Sequence, residues 1–256
     1  MNDDFYIIIP SRIGSTRLKN KPLINLNGET LIQRVFKNAA EISTNTFVAT
    51  DSELIADNLN MITNNIIMTS SDHISGTDRV YEAASKLNLT DETLILNLQG
   101  DEPFIPQELI SQMKDDFHSS SCDVVTASNP FKNKEDIMNP NCVMVEIDNN
   151  NFATQFSRTG SLNNPKRHIG IYGYSFNTLN QLVNLKPTVN ELEFKLEQLR
   201  FLENSYSIYV SSYFNNIPDG IDTAEDVTNA NSYLSLIHIS EPTRQEAISY
   251  AVFCLK

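Results

Sequence analysis

Apolar residues open the chain as a short unbroken run, Phe5–Pro10, rich in isoleucine and stopped by Pro10. Such a run predicts a strand buried on both faces of a parallel sheet. A polar loop follows to Lys21, and then the period changes. Leu31, Ile32, Val35, Phe36, Ala39 and Ile42 recur at helical spacing, which predicts a helix over 30–42. Thr46–Ala49 predicts a second strand, and Asp51 can cap a helix over 52–61 with Glu53 in its first turn. Ile66–Met68 is a third strand. Thr77 can cap a helix carrying Val80, Ala83, Ala84 and Leu87. Thr93–Leu98 is a strongly apolar fourth strand, Pro106 opens another helix, and Val124–Ala127 is a fifth strand. Strand and helix alternate roughly every 25 residues, which predicts an α/β fold with a doubly wound, mostly parallel, Rossmann-like sheet.

From about residue 140 the pattern is different. Val143–Ile147 and Phe152–Phe156 are separated by Asp148-Asn149-Asn150-Asn151, a hairpin signal. Arg167–Ser175 reads as a strand, Glu191–Glu203 as one helix with Leu192, Leu196 and Leu199 on a face, Ile208–Tyr213 as a strand and Ala224–Tyr233 as a last helix. The expected organisation is one domain over 1–233, with an antiparallel insertion at about 140–215 that covers the ligand edge of the sheet or builds a dimer interface. Residues 234–256, LSLIHISEPTRQEAISYAVFCLK, resemble read-through translation of a transposase-type sequencing-library adapter. The alternative is a native amphipathic segment. On the first reading the tail is non-native and stands apart from the fold, and His238 and Cys254 form no site.

Composition narrows the function classes. The 256 residues are 40% hydrophobic, enough for a sizeable core. No apolar run approaches a membrane span. The start, Met1-Asn2-Asp3-Asp4, has no basic n-region or apolar h-region, so no signal peptide is expected. Cys122, Cys142 and Cys254 are too scattered for a metal spacing or a disulfide framework, and cytoplasm is the expected location. A net charge of −13 speaks against binding a nucleic-acid backbone. One local exception stands out. Arg12, Arg17, Lys19 and Lys21 fall together with no acid between them, a small anion site suited to a phosphorylated ligand.

Three polar clusters lie at predicted strand ends, where ligands of open α/β sheets sit. Pro10-Ser11-Arg12-Ile13-Gly14-Ser15-Thr16-Arg17-Leu18-Lys19-Asn20-Lys21-Pro22-Leu23 can wrap a polyphosphate with backbone N–H groups, Ser15 and the charges of Arg12 and Lys21. It is neither a Walker A loop nor a G-x-G-x-x-G fingerprint. A solvated basic loop is the plain alternative. Asn97-Leu98-Gln99-Gly100-Asp101-Glu102-Pro103 offers a carboxylate for Mg²⁺, or a cap for the helix at Pro106. Gly220-Ile221-Asp222-Thr223-Ala224-Glu225-Asp226 offers a second Mg²⁺ ligand, or an N-cap.

PSRIGSTRLKNKPL, ATD (Ala49–Asp51), SGTDR (Ser75–Arg79), NLQGDEP, FSR (Phe156–Arg158), RHIGIYGY (Arg167–Tyr174), LEQLR (Leu196–Arg200) and GIDTAEDV occur in one order across residues 5–233. Together they resemble the 3-deoxy-manno-octulosonate (Kdo) cytidylyltransferase family. The resemblance implies the nucleotide-diphospho-sugar transferase type of sheet, and transfer of CMP from CTP to the anomeric oxygen of Kdo for lipopolysaccharide biosynthesis. It implies Arg12, Ser15, Arg17 and Lys21 on the triphosphate, and Ser75, Gly76 and Thr77 against the cytosine with Arg79 nearby. It implies Asp101 and Asp222 on Mg²⁺, so that Arg12, Lys21, Asp101 and Asp222 form the catalytic set. Gln99, Arg158, His168, Tyr172, Glu197 and Gln198 would line the sugar pocket. A homodimer is implied as well, with no nucleic acid or membrane as partner.

Those roles are chemically apt. Arg158 suits the sugar carboxylate, and Glu197 and Gln198 suit its hydroxyls. His168 can also be a satisfied structural histidine, Tyr172 and Tyr174 alternate with core isoleucines, and one of Glu197 and Gln198 can simply be solvated. Two departures mark this chain. Asn20 stands where the family carries glycine, beside an added Lys19, and Asn tolerates the left-handed conformation. The stretch between Arg158 and Arg167 is short. The Lys19-Asn20-Lys21 run is similar to synthetases that activate nonulosonic acids such as sialic acid, which keeps an alternative acidic sugar, or 8-amino-Kdo, in view. A retaining glycosyltransferase would need an Asp-x-Asp motif that Gln99-Gly100-Asp101 does not supply, and a pure nucleotide binder has no use for both carboxylates.

Overall fold

The structure is a computed structural model and describes residues 5–14, 17–131, 137, 139, 142–160 and 162–236. The elements run β1 (Tyr6–Ser11), a 3₁₀ turn (Lys21–Leu23), β2 (Asn25–Leu26), β3 (Glu29–Thr30), α1 (Leu31–Ala40), β4 (Thr46–Thr50), α2 (Glu53–Leu59), β5 (Ile66–Met68), α3 (Gly76–Ser85), β6 (Leu94–Leu98), α4 (Gln107–Ser120) and β7 (Val124–Asn129). There follow β8 (Met144–Ile147), β9 (Ala153–Ser157), β10 (Lys166–Ser175), α5 (Phe176–Val183), α6 (Val189–Phe194), α7 (Glu197–Glu203), β11 (Ile208–Ser212) and a last helix from 224 through 236. That helix runs past 233 without a break, and Leu234 packs into the core. Residues 237–256 lie outside the described residues.

Among the described residues nine strands form one sheet, in the order β11-β7-β10-β6-β1-β4-β5, with β8 and β9 added beside β10. β1 pairs in parallel with β4 on one side and β6 on the other. The chain winds outward from β1 to β5 and then returns to the far side of β1. The β1/β6 boundary is therefore the switch point where such sheets open a crevice. Gly100 lets the two strand ends close up, because a Cβ there would stand 2.9 Å from the Pro10 carbonyl oxygen.

β10 runs antiparallel between β6 and β7 and makes the sheet mixed. Its alternation serves two cores. Ile169 and Ile171 pack with Ile7, Leu96 and Val125, whereas Tyr172 and Tyr174 pack with Ile8, Ile95 and Val124 on the other face. Gly173 is squeezed between neighbours: a Cβ would stand 2.5 Å from Leu96 Cδ2 and 2.7 Å from Val125 Cγ1. The expected hairpin forms as β8 on β9, its turn closed by Asp148 Oδ1 accepting from the backbone of Asn150 and Phe152, both at 2.8 Å.

Three local expectations are corrected, and one helix is added. Asp51 does not cap α2. Ser52 takes that position without a side-chain bond, while Asp51 is drawn into an ion pair with Arg79. Thr77 does not cap α3, because Ser75 and Asp78 form its capping box. The single helix over 191–203 is two. Lys195 turns left-handed at φ 53° and separates α6 from α7, and leucine spacing alone does not register such a break. α5 was not foreseen; it is started by Ser175, whose hydroxyl accepts from Thr178 N, and held by buried Leu179 and Leu182.

Candidate active site

At the crevice three cationic and acidic side chains meet. Asn20 adopts φ 53° and ψ 36°, the left-handed turn expected at the position where the resemblance has glycine. That turn starts the 3₁₀ segment in which Pro22 is buried and from which Lys21 projects. Lys21 Nζ donates to Asp101 Oδ2 at 2.6 Å and to Asp222 Oδ1 at 2.8 Å. Arg17 adds a second cation, 3.2 Å from Asp222 Oδ2. Burial pulls the Lys21 ammonium down, but Asp101 and Asp222 outweigh it and its pKa is raised. Lys21 is therefore a fixed positive charge.

The two carboxylates come from distant segments that the backbone ties together, since Ile221 N donates to Asp101 O at 2.9 Å. Neither is a helix cap. Thr223 and Asp226 cap the last helix reciprocally, with Asp226 Oδ2 accepting from the backbone of Asp222 and Thr223. Asp222 is thus left free to face Lys21. Glu102 lies directly beneath Gly220, where a Cβ would stand 2.8 Å from its Oε1. Burial first, then the neighbouring Asp101, pushes Glu102 up to about 8.

These groups border a cleft of about 360 Å³ whose walls also include Pro10, Arg12, Ser75, Gly76 and Gln99. α3 begins against Pro10, the Cβ position of Gly76 standing 3.4 Å from Pro10 Cγ. Of the residues expected on the nucleotide, Arg12, Arg17, Lys21, Ser75, Gly76 and Arg79 line this cleft. Ser15 lies outside the described residues. Arg79 is committed elsewhere as well, donating to Asp51 Oδ2 at 2.8 Å and to Thr69 Oγ1 at 2.5 Å. Thr77 is not on the wall; its hydroxyl turns away to Glu197 Oε2 at 2.9 Å.

His73 and Ile74 also line the cleft, and sequence reasoning missed both. His73 is bonded to Glu82, which in addition accepts from Ser70 N at 2.8 Å and Lys86 Nζ at 2.6 Å. Against the cost of burial, those donors hold Glu82 down at about 2. The available signal was position: His73 lies two residues ahead of the SGT motif.

The expected sugar residues occupy the other side of Gln99. Gln99 lines the nucleotide cleft, its Nε2 donates to Asn97 Oδ1 at 3.0 Å, and its Cγ lies 3.9 Å from the Cβ position of Gly170 on β10. It therefore stands between the two groups. On β10 the His168 and Tyr172 rings are 5.5 Å apart, and Phe156 meets His168 edge-on at 5.1 Å. Thr126 Oγ1 donates to Ile171 O at 2.8 Å and so must accept from His168 Nε2, 2.9 Å away. The histidine is neutral, because burial first and then the charges of Arg158 and Arg167 push it down to about 3. Burial, and then Glu197, push the Tyr172 hydroxyl up. Glu197 is raised by burial against the pull of Thr77 and Arg200. Gln198 is buried. Arg158, His168, Tyr172 and Glu197 thus act on one another and form a second group of polar side chains set in an apolar wall.

A family model described as cytidylyltransferase matches residues 6–208. The 3-deoxy-manno-octulosonate cytidylyltransferase of Lawsonia intracellularis is 38% identical over 96% of this chain and 97% of its own. That of Alcanivorax borkumensis is 37% identical over 90% of this chain and 98% of its own. A solved structure of CMP:2-keto-3-deoxy-manno-octonic acid synthetase complexed with CTP superposes with a TM-score of 0.83, at 28% identity, over 90% of this chain and 98% of that one. A 4-diphosphocytidyl-2C-methyl-D-erythritol synthase from Anaerococcus prevotii shares the fold, with a TM-score of 0.60 at 15% identity. A family match over most of the chain and relatives this similar along their whole length establish that the chain belongs to the 3-deoxy-manno-octulosonate cytidylyltransferase family.

Proposed function

We propose that this chain transfers CMP from CTP to the anomeric oxygen of Kdo and releases pyrophosphate, with the chemistry centred on Lys21, Asp101 and Asp222. The observation that carries this reading is their arrangement: two carboxylates converge on a single cation at the mouth of a cleft bordered by Arg12 and Arg17. Two carboxylates drawn onto one ammonium are a concentration of negative charge that a divalent cation would also meet. One or two carboxylates completed by substrate phosphates is the donor set Mg²⁺ favours. Asp101 and Asp222 would hold it. Mg²⁺ bound there would offset phosphate charge and lower the pKa of the attacking hydroxyl.

The chain's own groups do the rest by positioning and electrostatics. Arg12, Arg17 and Lys21 hold the triphosphate, and Lys21 exchanges its carboxylate partners for phosphate oxygens. Backbone groups at Ser75 and Gly76 read the pyrimidine edge. Arg158 pairs with the sugar carboxylate. Tyr172, Glu197, Gln198 and the neutral His168 take its hydroxyls. The anomeric oxygen forms a bond to the α-phosphorus, the bond from that phosphorus to the bridging oxygen of the pyrophosphate breaks, and the hydroxyl proton passes to solvent. No protein nucleophile is required. On the family likeness, a homodimer and a cytoplasmic location belong to the same proposal; among the described residues no helix is long and apolar enough to cross a membrane.

The test is pyrophosphate release from CTP and Mg²⁺ with Kdo or sialic acid as acceptor. Release with Kdo and none with sialic acid supports the proposal. Release with sialic acid alone overturns the sugar assignment, and no release with either acceptor overturns the activity.

A further inference from the structure

Thr77 belongs by sequence to the nucleotide-side motif, between Gly76, which lines the cleft, and Asp78, which caps α3. Its side chain does something else. It is buried, and its hydroxyl crosses to Glu197, 120 residues away, with Oγ1 to Oε2 at 2.9 Å. The other carboxylate oxygen of Glu197 accepts from Arg200 Nη2 at 3.1 Å. Arg200 is itself immobilised, for Nη2 also meets Glu191 Oε1 at 2.8 Å and Nη1 donates to Leu185 O at 3.2 Å. The left-handed break at Lys195 sets Glu197 at the start of a new helix, where Arg200 one turn later can reach back to it. A carboxylate gripped at both oxygens has lost its rotational freedom, and its remaining lone pairs point in fixed directions.

We infer that Thr77 is a positioning residue for the acceptor sugar: with Arg200 it clamps the Glu197 carboxylate in the orientation that receives the sugar hydroxyls. This rests on the assignment of Glu197 to the sugar pocket. Physically, one residue of the nucleotide motif turns away from the cleft and works through the other subsite. A hydrogen bond to a charged, partly buried group is worth enough that its loss is read as about a tenfold change in apparent affinity.

The experiment measures KM for Kdo and KM for CTP separately in the full chain, for wild type, Thr77→Val, Thr77→Ser and Glu197→Gln. Valine keeps the shape of threonine and removes the donor, whereas serine keeps the donor. The expected result is a KM for Kdo raised about tenfold in T77V, with KM for CTP within about twofold, and recovery in T77S. Should the valine variant not fold by circular dichroism, Thr77→Ala is judged by the same criteria. A T77V variant whose KM for CTP rises as much as that for Kdo, or whose KM for Kdo does not move, overturns the inference. Glu197→Gln separates the two layers. If E197Q raises KM for Kdo and T77V does not, only the positioning role falls; if E197Q leaves it unchanged, the pocket assignment falls and takes this inference with it.

Discussion

The two sides of Gln99 are built on different principles. On the nucleotide side, charged groups sit on the loops after β1 and β6 and on the segment before the last helix; Arg17, Asp101 and Asp222 remain half-exposed around the more buried Lys21. On the acceptor side, His168 and Gln198 are buried and Arg158, Tyr172 and Glu197 half-buried beside an apolar cluster that includes Phe156, Tyr174 and Leu199, and protonation is displaced: His168 is held neutral and Glu197 is raised. A triphosphate brings large charge, which mobile cations can meet in a wet cleft. A sugar with several hydroxyls demands direction, which comes from fixed, desolvated partners. Damage on the first side should therefore be read in chemistry and charge, and on the second in geometry and stability.

The sharpest break of that contrast is Asp101→Ala. It should lower kcat/KM by about 10³-fold in pyrophosphate release while leaving the thermal melt near that of wild type, as expected for a group acting on developing charge. A variant that instead fails to fold would put Asp101 in the scaffold.

The opposite pattern is expected for Gly173→Ala on β10. The new methyl meets Leu96 and Val125, and overpacking of this kind costs about 1–3 kcal/mol in denaturant unfolding. Nucleotide affinity should change little in the protein that remains folded.

pH separates the sides more finely. The unfolded chain protonates His168 near the ordinary histidine value of about 6.5, whereas the fold withholds the proton to about 3. Its contribution is intact above about pH 6.5 and is lost as pH falls toward 3, by up to about 1.4 kcal/mol per pH unit. Urea unfolding at stepped pH should show His168→Gln flattening that acid limb.

The smallest effect belongs to Arg17→Ala. This side chain is 56% exposed and its ion pair with Asp222 is screened. A rise of about threefold in KM for CTP, fading with added salt, is the expected outcome.

The same contrast explains what the sequence made legible. The parallel half was readable because each strand is a contiguous apolar run and each loop follows it directly, so Lys21 and Asp101 could be placed at strand ends. Even the Asn20 turn was readable, because its conformation is a property of that residue type. The acceptor half was less so. Leucine spacing over 192–199 carries no sign of the left-handed Lys195, and α5 begins within one residue of the end of β10. Side-chain partners across long separations were the least accessible. Asp51 looked like a helix cap and pairs with Arg79, and Thr77 looked like a cap and holds Glu197. In each case local hydrogen-bonding rules named the right residue type, and a tertiary partner took the side chain.

The central claim is that the meeting point of Lys21, Asp101 and Asp222 is where the triphosphate is held. A crystal structure with CTP and Mg²⁺ tests it most directly. The account predicts triphosphate density beside Lys21, with the ammonium parted from Asp101 and Asp222 and the metal ion between those two carboxylates. Nucleotide bound elsewhere, with Lys21 still clasped by both carboxylates, would contradict it.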